Sequence, residues 1–323
     1  MTRILITGAG GFLGQKLALR LASDGTLRGK TIEALTLIDL AAPSAPNTDI
    51  PVTVEALDIA DGPAVAELFD PGFDVVFHLA AVVSAAAEAT FDLGLRVNLM
   101  GSINLLEAAR ASNTCPIFVF ASSAAVHGGT APATVTDGIE LNPQTSYGTQ
   151  KAMAELLLTD MSRRGFVDGR GLRLPTVSIR PGAANAAASS FMSAIFRDTL
   201  EGRSANCPVA AEFPVWHSAP RTVVANLIHG AEVEGAALGP NRSFNLPGRT
   251  DTIGEMIAAM THVAGPDAAT RITWSREPAI EAIVNGWRGH MRPERALALG
   301  FKADASFEDS VRFFLEDDIR TPA

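Results

Sequence analysis

The 323-residue sequence predicts an α/β protein with a doubly wound parallel sheet and a smaller C-terminal domain. Three observations predict this fold class. Short apolar, β-branched runs alternate with segments of helical periodicity through the first half, which is typical of β-α-β units. A glycine-rich turn joins the first strand to the first helix. At about 100–200 residues per domain, the length favours two domains.

Continuous apolar runs, such as the one in the first strand, are typical of strands buried on both faces, whereas apolar residues three and four apart predict helices. The predicted strands of the first half are Arg3–Thr7, Ala34–Asp39, Pro51–Glu55, Asp74–Leu79, Ile117–Ser122 and Leu172–Ile179. The helices predicted between them are Gly11–Ser23, Ala60–Phe69, Thr90–Ser112 and Ser146–Arg163.

The pattern changes after Arg180-Pro181, where an alanine- and serine-rich stretch leads into irregular, proline-rich sequence. Further elements are predicted at Phe191–Glu201, Thr222–Glu234, Ser243–Leu246 and Ile253–Ala264. We therefore predict a dinucleotide-binding domain at residues 1–182, with return segments near 222–247, and a cap formed mainly by residues 183–323.

Composition excludes several classes of protein. The 26 Lys and Arg against 35 Asp and Glu give a net charge of −9, and the chain has no basic tract. Nucleic acids and anionic membranes are therefore not expected as partners. No leader and no run of about 18 apolar residues is seen, which predicts a cytoplasmic protein. Cys115 and Cys207 are far apart and predict no disulfide framework, and the six histidines show no metal-ligand spacing.

The first turn carries glycine at a spacing of three, at Gly8, Gly11 and Gly14. Glycines permit a tight turn and a close approach of the backbone to a pyrophosphate, and the following helix offers free N–H groups. Because a strand precedes the motif and a helix follows it, a dinucleotide site is predicted. The alternative is a tight turn without a ligand.

Asp39 ends the second strand, where a carboxylate can accept the ribose hydroxyls and repel a 2′-phosphate. The next residues, Leu40-Ala41-Ala42, offer no Arg or Lys for such a phosphate. The sequence therefore favours NAD over NADP without showing how strict the preference is. The alternative for Asp39 is a cap at the end of the strand.

Tyr147 is the only tyrosine of the chain, and Lys151 follows four residues later on the same predicted helix face. A phenol has a pKa of about 10, so a base at neutral pH needs it lowered by roughly three units, or about 4 kcal/mol. A neighbouring ammonium and an oxidised nicotinamide could supply this. The alternative is a core or surface tyrosine near an unrelated lysine.

Two strand ends strengthen this interpretation. Ser122-Ser123 ends the fifth strand, and ligands bind at the carboxyl ends of strands in such sheets. A serine there can hold a substrate oxygen beside the phenol, although serine is also common in ordinary turns. The fourth strand ends in His78-Leu79-Ala80-Ala81, whose small residues would let a cofactor pass closely.

Together these motifs resemble the extended short-chain dehydrogenase/reductase superfamily, which includes sugar-nucleotide epimerases and dehydratases. The resemblance implies a Rossmann-type fold, Tyr147 as general base, Lys151 holding the nicotinamide ribose and lowering the phenol pKa, and Ser123 polarising the substrate oxygen. Asp58 has a helix N-cap as its alternative role, and Asn98 a structural one. The cofactor contacts implied are Gly8, Gly11, Phe12, Leu13, Gly14, Asp39, Asp58, Ile59, Leu79, Ala80, Ala81, Asn98, Tyr147, Lys151 and Pro181.

The chain departs from the epimerases in its recognition segments, for example at Val126-His127-Gly128. The segments Leu174–Gly182 and Ser218-Ala219-Pro220-Arg221, with the alanine-rich stretch after the first, more closely resemble D-erythronate dehydrogenases, which oxidise a four-carbon sugar acid with NAD to its 2-keto acid. Arg221 is the candidate clamp for the carboxylate, with a structural arginine as the alternative, and Asn185 is a further candidate substrate ligand.

Two other functions stay open: a nucleoside-diphosphate-sugar epimerase or dehydratase, and a non-catalytic dinucleotide sensor. A sensor has no need of Ser123, Tyr147 and Lys151 together, which argues against it. The resemblance also implies a homodimer formed through the helices near Thr90–Ser112 and Ser146–Arg163. The sequence assigns no role to His127, His217 or His290.

Overall fold

A computed structural model describes residues 1–182, 190–284 and 286–319. The strands are β1 Thr2–Thr7, β2 Thr26–Leu27, β3 Lys30–Asp39, β4 Val52–Ala56, β5 Val75–His78, β6 Ile117–Ser123, β7 Thr134–Thr136, β8 Asp168–Leu174, β9 Thr176–Val177, β10 Ala205–Cys207, β11 Pro214–Ser218, β12 Ser243–Asn245, β13 Arg249–Thr252, β14 Ile272–Trp274 and β15 His290–Arg292.

The α-helices are α1 Phe12–Asp24, α2 Gly62–Leu68, α3 Ser84–Ala89, α4 Phe91–Gly94, α5 Gly101–Ala111, α6 Ser146–Arg163, α7 Phe191–Leu200, α8 Pro220–Glu232, α9 Ile253–Ala264, α10 Pro266–Thr270, α11 Pro278–Val284, α12 Glu294–Ala298 and α13 Phe307–Asp317. A π-helix, Leu95–Met100, joins α4 to α5, and single 3₁₀ turns cover Ala124–Val126 and Gly235–Leu238. Among the described helices, none is long and apolar enough to cross a membrane.

The chain forms two compact units. The first comprises residues 1–126, 145–173 and 224–244, and the second comprises residues 127–144, 174–223 and those from 245 onward.

The first unit is built on one large sheet with the strand order β12-β8-β6-β5-β1-β3-β2, and β4 also pairs with β3. Strand β1 runs parallel to both β3 and β5, so Thr7 lies opposite Ile38 on one side and His78 on the other. β5 is parallel to β6, and β3 to β4. The predicted α/β fold with a doubly wound parallel sheet is confirmed.

Apolar side chains of the sheet and of helices α2, α5 and α6 form the core of the first unit. Burying a Leu, Val or Phe side chain contributes roughly 1.5–3 kcal/mol, so this cluster holds the helices against the strands. Its central members include Leu5, Ile38, Val65, Val76, Leu105, Phe118, Phe120 and Leu158.

The sixth predicted strand lies earlier than expected. The sequence predicted Leu172–Ile179, whereas β8 spans Asp168–Leu174. Its glycines are needed for close approaches, because a Cβ on Gly171 would lie 2.2 Å from the Ser243 hydroxyl oxygen. Pro175 then ends the strand, since proline cannot donate a ladder hydrogen bond.

The helix predicted at Thr90–Ser112 is divided by the π-helix, and α3 was not predicted. Three buried residues, Gly94, Asn98 and Ser102, recur every four positions. Asn98 bonds to Gln150 and Ser102 to His78, and Gly94 is required because a Cβ there would lie 2.8 Å from Nε2 of Gln150.

The second unit contains three small sheets, with orders β9-β11-β13, β10-β14 and β7-β15. Helices α7, α9, α10 and α13 pack around an apolar core, and capping boxes begin α9 and α13. Central members of this core are Ile195, Phe196, Val215, Met256, Met260, Phe307 and Phe314.

The two compact units differ from the predicted domains in two segments. Residues 127–144 and 174–182, which the prediction assigned to the first domain, belong to the second unit. The reason is strand pairing, because β7 pairs with β15 and β9 pairs with β11. Residues 224–244 belong to the first unit.

Candidate active site

The glycine-rich turn between β1 and α1 is shaped by close backbone contacts. Gly8 has φ 73°, and a Cβ there would lie 2.6 Å from the backbone nitrogen of Ala80. A Cβ on Gly14 would lie 2.2 Å from the carbonyl oxygen of Gly8. Gly11 is the N-cap of α1, and no side chain caps this helix. The turn thus leaves the N–H groups of Phe12 and Leu13 suited to an anion.

Asp39 lies at the end of β3, beside this turn. Its Oδ2 accepts a hydrogen bond from the Gly10 N–H at 2.9 Å, and its Oδ1 accepts one from the Leu40 N–H at 2.7 Å. The bond to Leu40 agrees with the strand-end cap that the sequence left open. Each carboxylate oxygen has a second lone pair, so both can still accept ribose hydroxyls.

Asp58 forms an ion pair with Arg96 at 2.6 Å and accepts the Ala60 N–H at 2.9 Å. Burial raises its pKa, but the Ala60 hydrogen bond and the Arg96 guanidinium together lower the pKa below its ordinary value. The N-cap of α2 is Asp61, so the alternative role of Asp58 as that cap is wrong. The neighbouring Ile59 is buried against Gly101.

His78, at the end of β5, is a buried structural link that the sequence reading did not assign. Its Nδ1 lies 2.8 Å from the Thr7 hydroxyl and its Nε2 lies 2.9 Å from the Ser102 hydroxyl. Ser102 donates to the Asn98 carbonyl, so its oxygen accepts from Nε2–H. Burial and the Lys151 ammonium lower the pKa of His78 well below its ordinary value, which keeps the ring neutral.

This link fixes the point from which Leu79, Ala80 and Ala81 leave the sheet. Asn98 holds the next residue, because its Oδ1 accepts the Val82 N–H at 2.8 Å and its Nδ2 donates to the Val82 carbonyl. Nδ2 also donates to Gln150 at 2.9 Å. The contacts of Asn98 thus agree with its structural alternative, since they tie the β5–α3 loop to α6.

Helix α6 brings Tyr147 and Lys151 together one turn apart, starting from Thr145, whose side chain accepts the Gly148 N–H. The Lys151 Nζ donates to the Ala121 carbonyl at 2.9 Å and lies 5.7 Å from the centre of the Tyr147 ring. The hydroxyl of Ser123 is hydrogen-bonded to the phenol. The three residues predicted to react therefore meet where β6 ends.

Desolvation disfavours the charged form of both Tyr147 and Lys151. Burial raises the pKa of Tyr147 to about 12, and the Ser123 hydrogen bond offsets only part of this. Burial lowers the pKa of Lys151 to about 7, opposed by Glu155. In the protein alone, desolvation of the phenolate outweighs its neighbours, and the role of Lys151 in lowering the phenol pKa stays a prediction.

Behind Lys151 lies a buried ion pair that the sequence analysis missed. Glu155 accepts hydrogen bonds from Ser122 at 2.5 Å and from two nitrogens of Arg173, the shorter at 2.7 Å. Glu155 is 2% exposed and Arg173 is 9% exposed. One available signal was the i, i+4 spacing of Lys151 and Glu155 on α6.

Residues 4–222 match the model of the NAD dependent epimerase/dehydratase family. The chain belongs to this family.

Two relatives and one solved structure extend the match to almost the whole chain. The D-erythronate dehydrogenase of Cupriavidus necator is 52% identical over 318 residues, covering 97% of this chain and 98% of that protein. The D-erythronate dehydrogenase of Haemophilus influenzae is 42% identical, covering 98% and 100%. A structure from Agrobacterium tumefaciens described as a nucleoside-diphosphate-sugar epimerase has a TM-score of 0.95 at 44% identity, covering 98% and 94%.

Family and fold together make this chain an oxidoreductase that uses a nicotinamide dinucleotide. The first unit fits such a cofactor. A Cβ at Gly8 or Gly14 would collide with backbone atoms, and the uncapped N-terminus of α1 follows directly. Asp39 would hold the adenosine ribose and Lys151 the nicotinamide ribose.

Arg221, the predicted carboxylate clamp, lies in the second unit. Arg221 forms ion pairs with Asp317 at 2.5 Å and Glu316 at 2.8 Å, and its guanidinium stacks over Phe313 at 4.5 Å. These contacts favour the structural alternative for Arg221. Asn185 lies outside the described residues.

Pro181 follows Arg180, whose backbone N–H and Nε both donate to Ser193. His127 contacts Asn245 at 2.9 Å and His217 contacts Asp251 at 2.8 Å, so both buried rings have structural partners. His290 is exposed on β15. In the described part of the chain, no group of three or more His, Cys, Asp or Glu side chains is arranged to hold a metal ion.

Proposed function

We propose that this enzyme oxidises the C2 hydroxyl of a four-carbon sugar acid with NAD, converting D-erythronate to 2-dehydro-D-erythronate. One observation supports the chemistry above others: Ser123, Tyr147 and Lys151 meet at the carboxyl end of β6. The substrate is suggested by the two D-erythronate dehydrogenases that match this chain almost end to end.

In this proposal, Ser123 holds the C2 oxygen beside the phenol and Tyr147, as phenolate, accepts the hydroxyl proton. The oxidised nicotinamide, when bound, supplies the acceptor for the hydride from C2. The Lys151 ammonium stabilises the phenolate. Bringing the Tyr147 pKa from about 12 to neutrality requires about 7 kcal/mol at 1.36 kcal/mol per unit. Positive charge near the ring is the main available source.

NAD is proposed over NADP because of Asp39. Its carboxylate sits beside the glycine turn and would repel a 2′-phosphate, and Leu40-Ala41-Ala42 offer no cation in exchange. The ratio of kcat/KM for the two cofactors measures this preference. A ratio near one would contradict it.

The test of the activity is NADH formation from NAD and D-erythronate, followed by absorbance. Tyr147→Phe should lower kcat by roughly 10²–10⁴-fold, because it removes the general base. Ser123→Ala should also lower kcat, while Ser112→Ala, at the end of α5, serves as a matched control without loss. Unchanged turnover in Tyr147→Phe would refute the mechanism, and no turnover of any four-carbon sugar acid would refute the substrate.

The second candidate is a nucleoside-diphosphate-sugar epimerase. It is favoured by the Agrobacterium tumefaciens structure, whose description names that activity, at a TM-score of 0.95. An epimerase returns the hydride to its substrate and therefore releases no net NADH. Conversion of a nucleoside-diphosphate sugar without NADH release would select this function.

A homodimer is proposed as the assembly. Large apolar side chains remain exposed on the π-helix region and on α6, which is unusual unless they are covered by a partner. They are Phe91, Leu95, Met100, Met153 and Leu156. Leu156→Glu should give a monomer in light scattering, whereas Leu297→Glu at another exposed leucine, on α12, should not. A monomeric unmodified protein would contradict the proposal.

A further inference from the structure

The end of β6 touches α6 at three successive turns. Ser123 bonds to Tyr147, the carbonyl of Ala121 accepts from Lys151, and the hydroxyl of Ser122 donates to Glu155. Positions 147, 151 and 155 are four apart and share one helix face. The strand thus fixes the base, the lysine and the buried carboxylate in one row.

Glu155 is bound from a second direction by Arg173 on β8, the strand next to β6. The guanidinium donates to both carboxylate oxygens, with Nε at 3.0 Å from one and Nη2 at 2.7 Å from the other. The two opposite charges cancel as long as both are present. Either charge left alone in this buried place would act strongly on its neighbours, because the local dielectric is low.

Lys151 is the neighbouring group on which such a charge imbalance would act most strongly. The Glu155 carboxylate opposes the effect of burial on the lysine. Of the other groups that pack around Lys151, Tyr147 is uncharged at neutral pH and His78 on β5 is held neutral. The π-helix faces α6 with the uncharged amide of Asn98, through Gln150.

We propose that Glu155 and Arg173, anchored by Ser122, are positioning residues that set the charge of Lys151. Their balance determines how much of the lysine is present as the ammonium that the phenolate of Tyr147 requires. This inference rests on the roles proposed above for Lys151 and Tyr147. It adds a part of the site that does not touch substrate or cofactor.

The proposal predicts that the two single variants shift the pKa of Lys151 in opposite directions. Glu155→Gln leaves the Arg173 cation unbalanced, which should lower the pKa of Lys151 by about one unit. Arg173→Gln leaves the Glu155 anion unbalanced, which should raise the pKa by a similar amount. The double variant carries no net charge at the pair and should return close to the unmodified protein. A merely structural pair would give no such reversal.

The measurement is the titration of the lysine side chains by NMR in protein labelled at lysine Cε. The chain has only four lysines, Lys16, Lys30, Lys151 and Lys302, so the signals are few, and Lys151→Met assigns the one of interest. Glu107→Gln, which breaks an exposed ion pair with Arg110, is the matched control and should leave Lys151 unchanged.

Shifts of the same sign in both single variants, or no shift in either, would overturn the proposal. If one single variant does not fold, the other compared with the double variant still decides the sign. The titration needs no turnover. Failure of the proposed function would appear separately, as an unmodified protein that forms no NADH.

Discussion

The phenol of Tyr147 lies in surroundings that oppose its ionisation. Burial raises its pKa to about 12, and the hydrogen bond from Ser123 recovers only part of the cost. Lys151 is itself destabilised as a cation, with a pKa of about 7. A residue assigned as a base is therefore kept as an acid by the protein alone, and ionisation has to be coupled to binding of a cation.

This coupling gives a prediction for the titration of Tyr147. Tyrosinate absorbance should appear near pH 12 in the protein alone and at clearly lower pH with saturating NAD, because a positive nicotinamide favours the phenolate. Rapid pH-jump mixing reads the signal before unfolding, and the chain has one tyrosine, so the signal is unambiguous. The reduced cofactor, whose ring is neutral, is the control. Equal midpoints with and without NAD would contradict the coupling.

Arg221 gives a second prediction at this scale. Because its guanidinium already binds Asp317 and Glu316, we expect Arg221→Met to change KM for D-erythronate by less than about twofold. The loss of stability should also be small, about 0–1 kcal/mol, since the ion pairs are partly exposed. Steady-state kinetics check this. A rise in KM of about tenfold, worth about 1.4 kcal/mol, would restore Arg221 as a substrate clamp.

At the scale of elements, the start of α8 depends on a residue far away in sequence. Asp304 accepts hydrogen bonds from the Ala219 N–H at 3.0 Å, the Ser218 hydroxyl at 2.8 Å and the Thr222 hydroxyl. The carboxylate is 7% exposed. By accepting the N–H of the residue before the helix, Asp304 takes the part that the N3 carboxylate of a capping box plays from within a helix.

Asp304→Ala should lower the free energy of unfolding by about 1–3 kcal/mol, because it leaves buried donors without their acceptor. Chemical denaturation measures the change. Asp49→Asn, an exposed aspartate in the same unfolding experiment, should have almost no effect. Equal stability of the Asp304 variant and the unmodified protein would show that other groups cap α8.

Most elements of the first unit were predictable because their strands are buried on both faces and give continuous apolar runs. The sixth strand was predicted too late in the sequence because Gly169 and Gly171 are typical of a turn. These glycines are instead required by the close approach of Leu158 and Ser243. The π-helix was not predictable either. It carries Asn98, whose contacts with Val82 and Gln150 are not encoded by any local pattern.

The same distinction holds within the site. Tyr147 and Lys151 were found because their spacing on one helix is local, and Ser123 because it ends a strand. Arg173 was missed because its partnership with Glu155 depends on β8 lying beside β6. Strand order in a sheet is decided by the whole fold, so the residue spacing within a motif cannot predict it.

At the scale of the whole molecule, stability should depend on pH through His78. Its pKa is far below the ordinary value in the folded protein, whereas the unfolded chain titrates near 6.5. The folded state thus binds fewer protons, so the contribution is complete above about pH 6.5 and is lost as pH falls below it. The slope is about 1.4 kcal/mol per pH unit.

Denaturant unfolding at pH 5 and pH 8 measures this effect. His78→Gln should show a smaller difference between the two pH values than the unmodified protein. His290→Gln, at an exposed histidine on β15, is the matched control and should keep the full difference. Lys151, with a pKa of about 7, also contributes between pH 7 and pH 8, but it does so alike in all three proteins, so the comparison of variants removes its contribution. An unchanged difference in His78→Gln would refute the assignment.

The chain leaves the first unit at His127 and re-enters it at Thr145, between Ser123 and Tyr147. The two residues are held together by contacts of β6 with α6, such as the hydrogen bond from Lys151 to Ala121. Insertions, deletions and substitutions in the excursion can therefore accumulate during divergence without moving the reacting groups. Under the proposed mechanism, evolution can then lengthen or rewrite that stretch while Ser123, Tyr147 and Lys151 keep their mutual geometry.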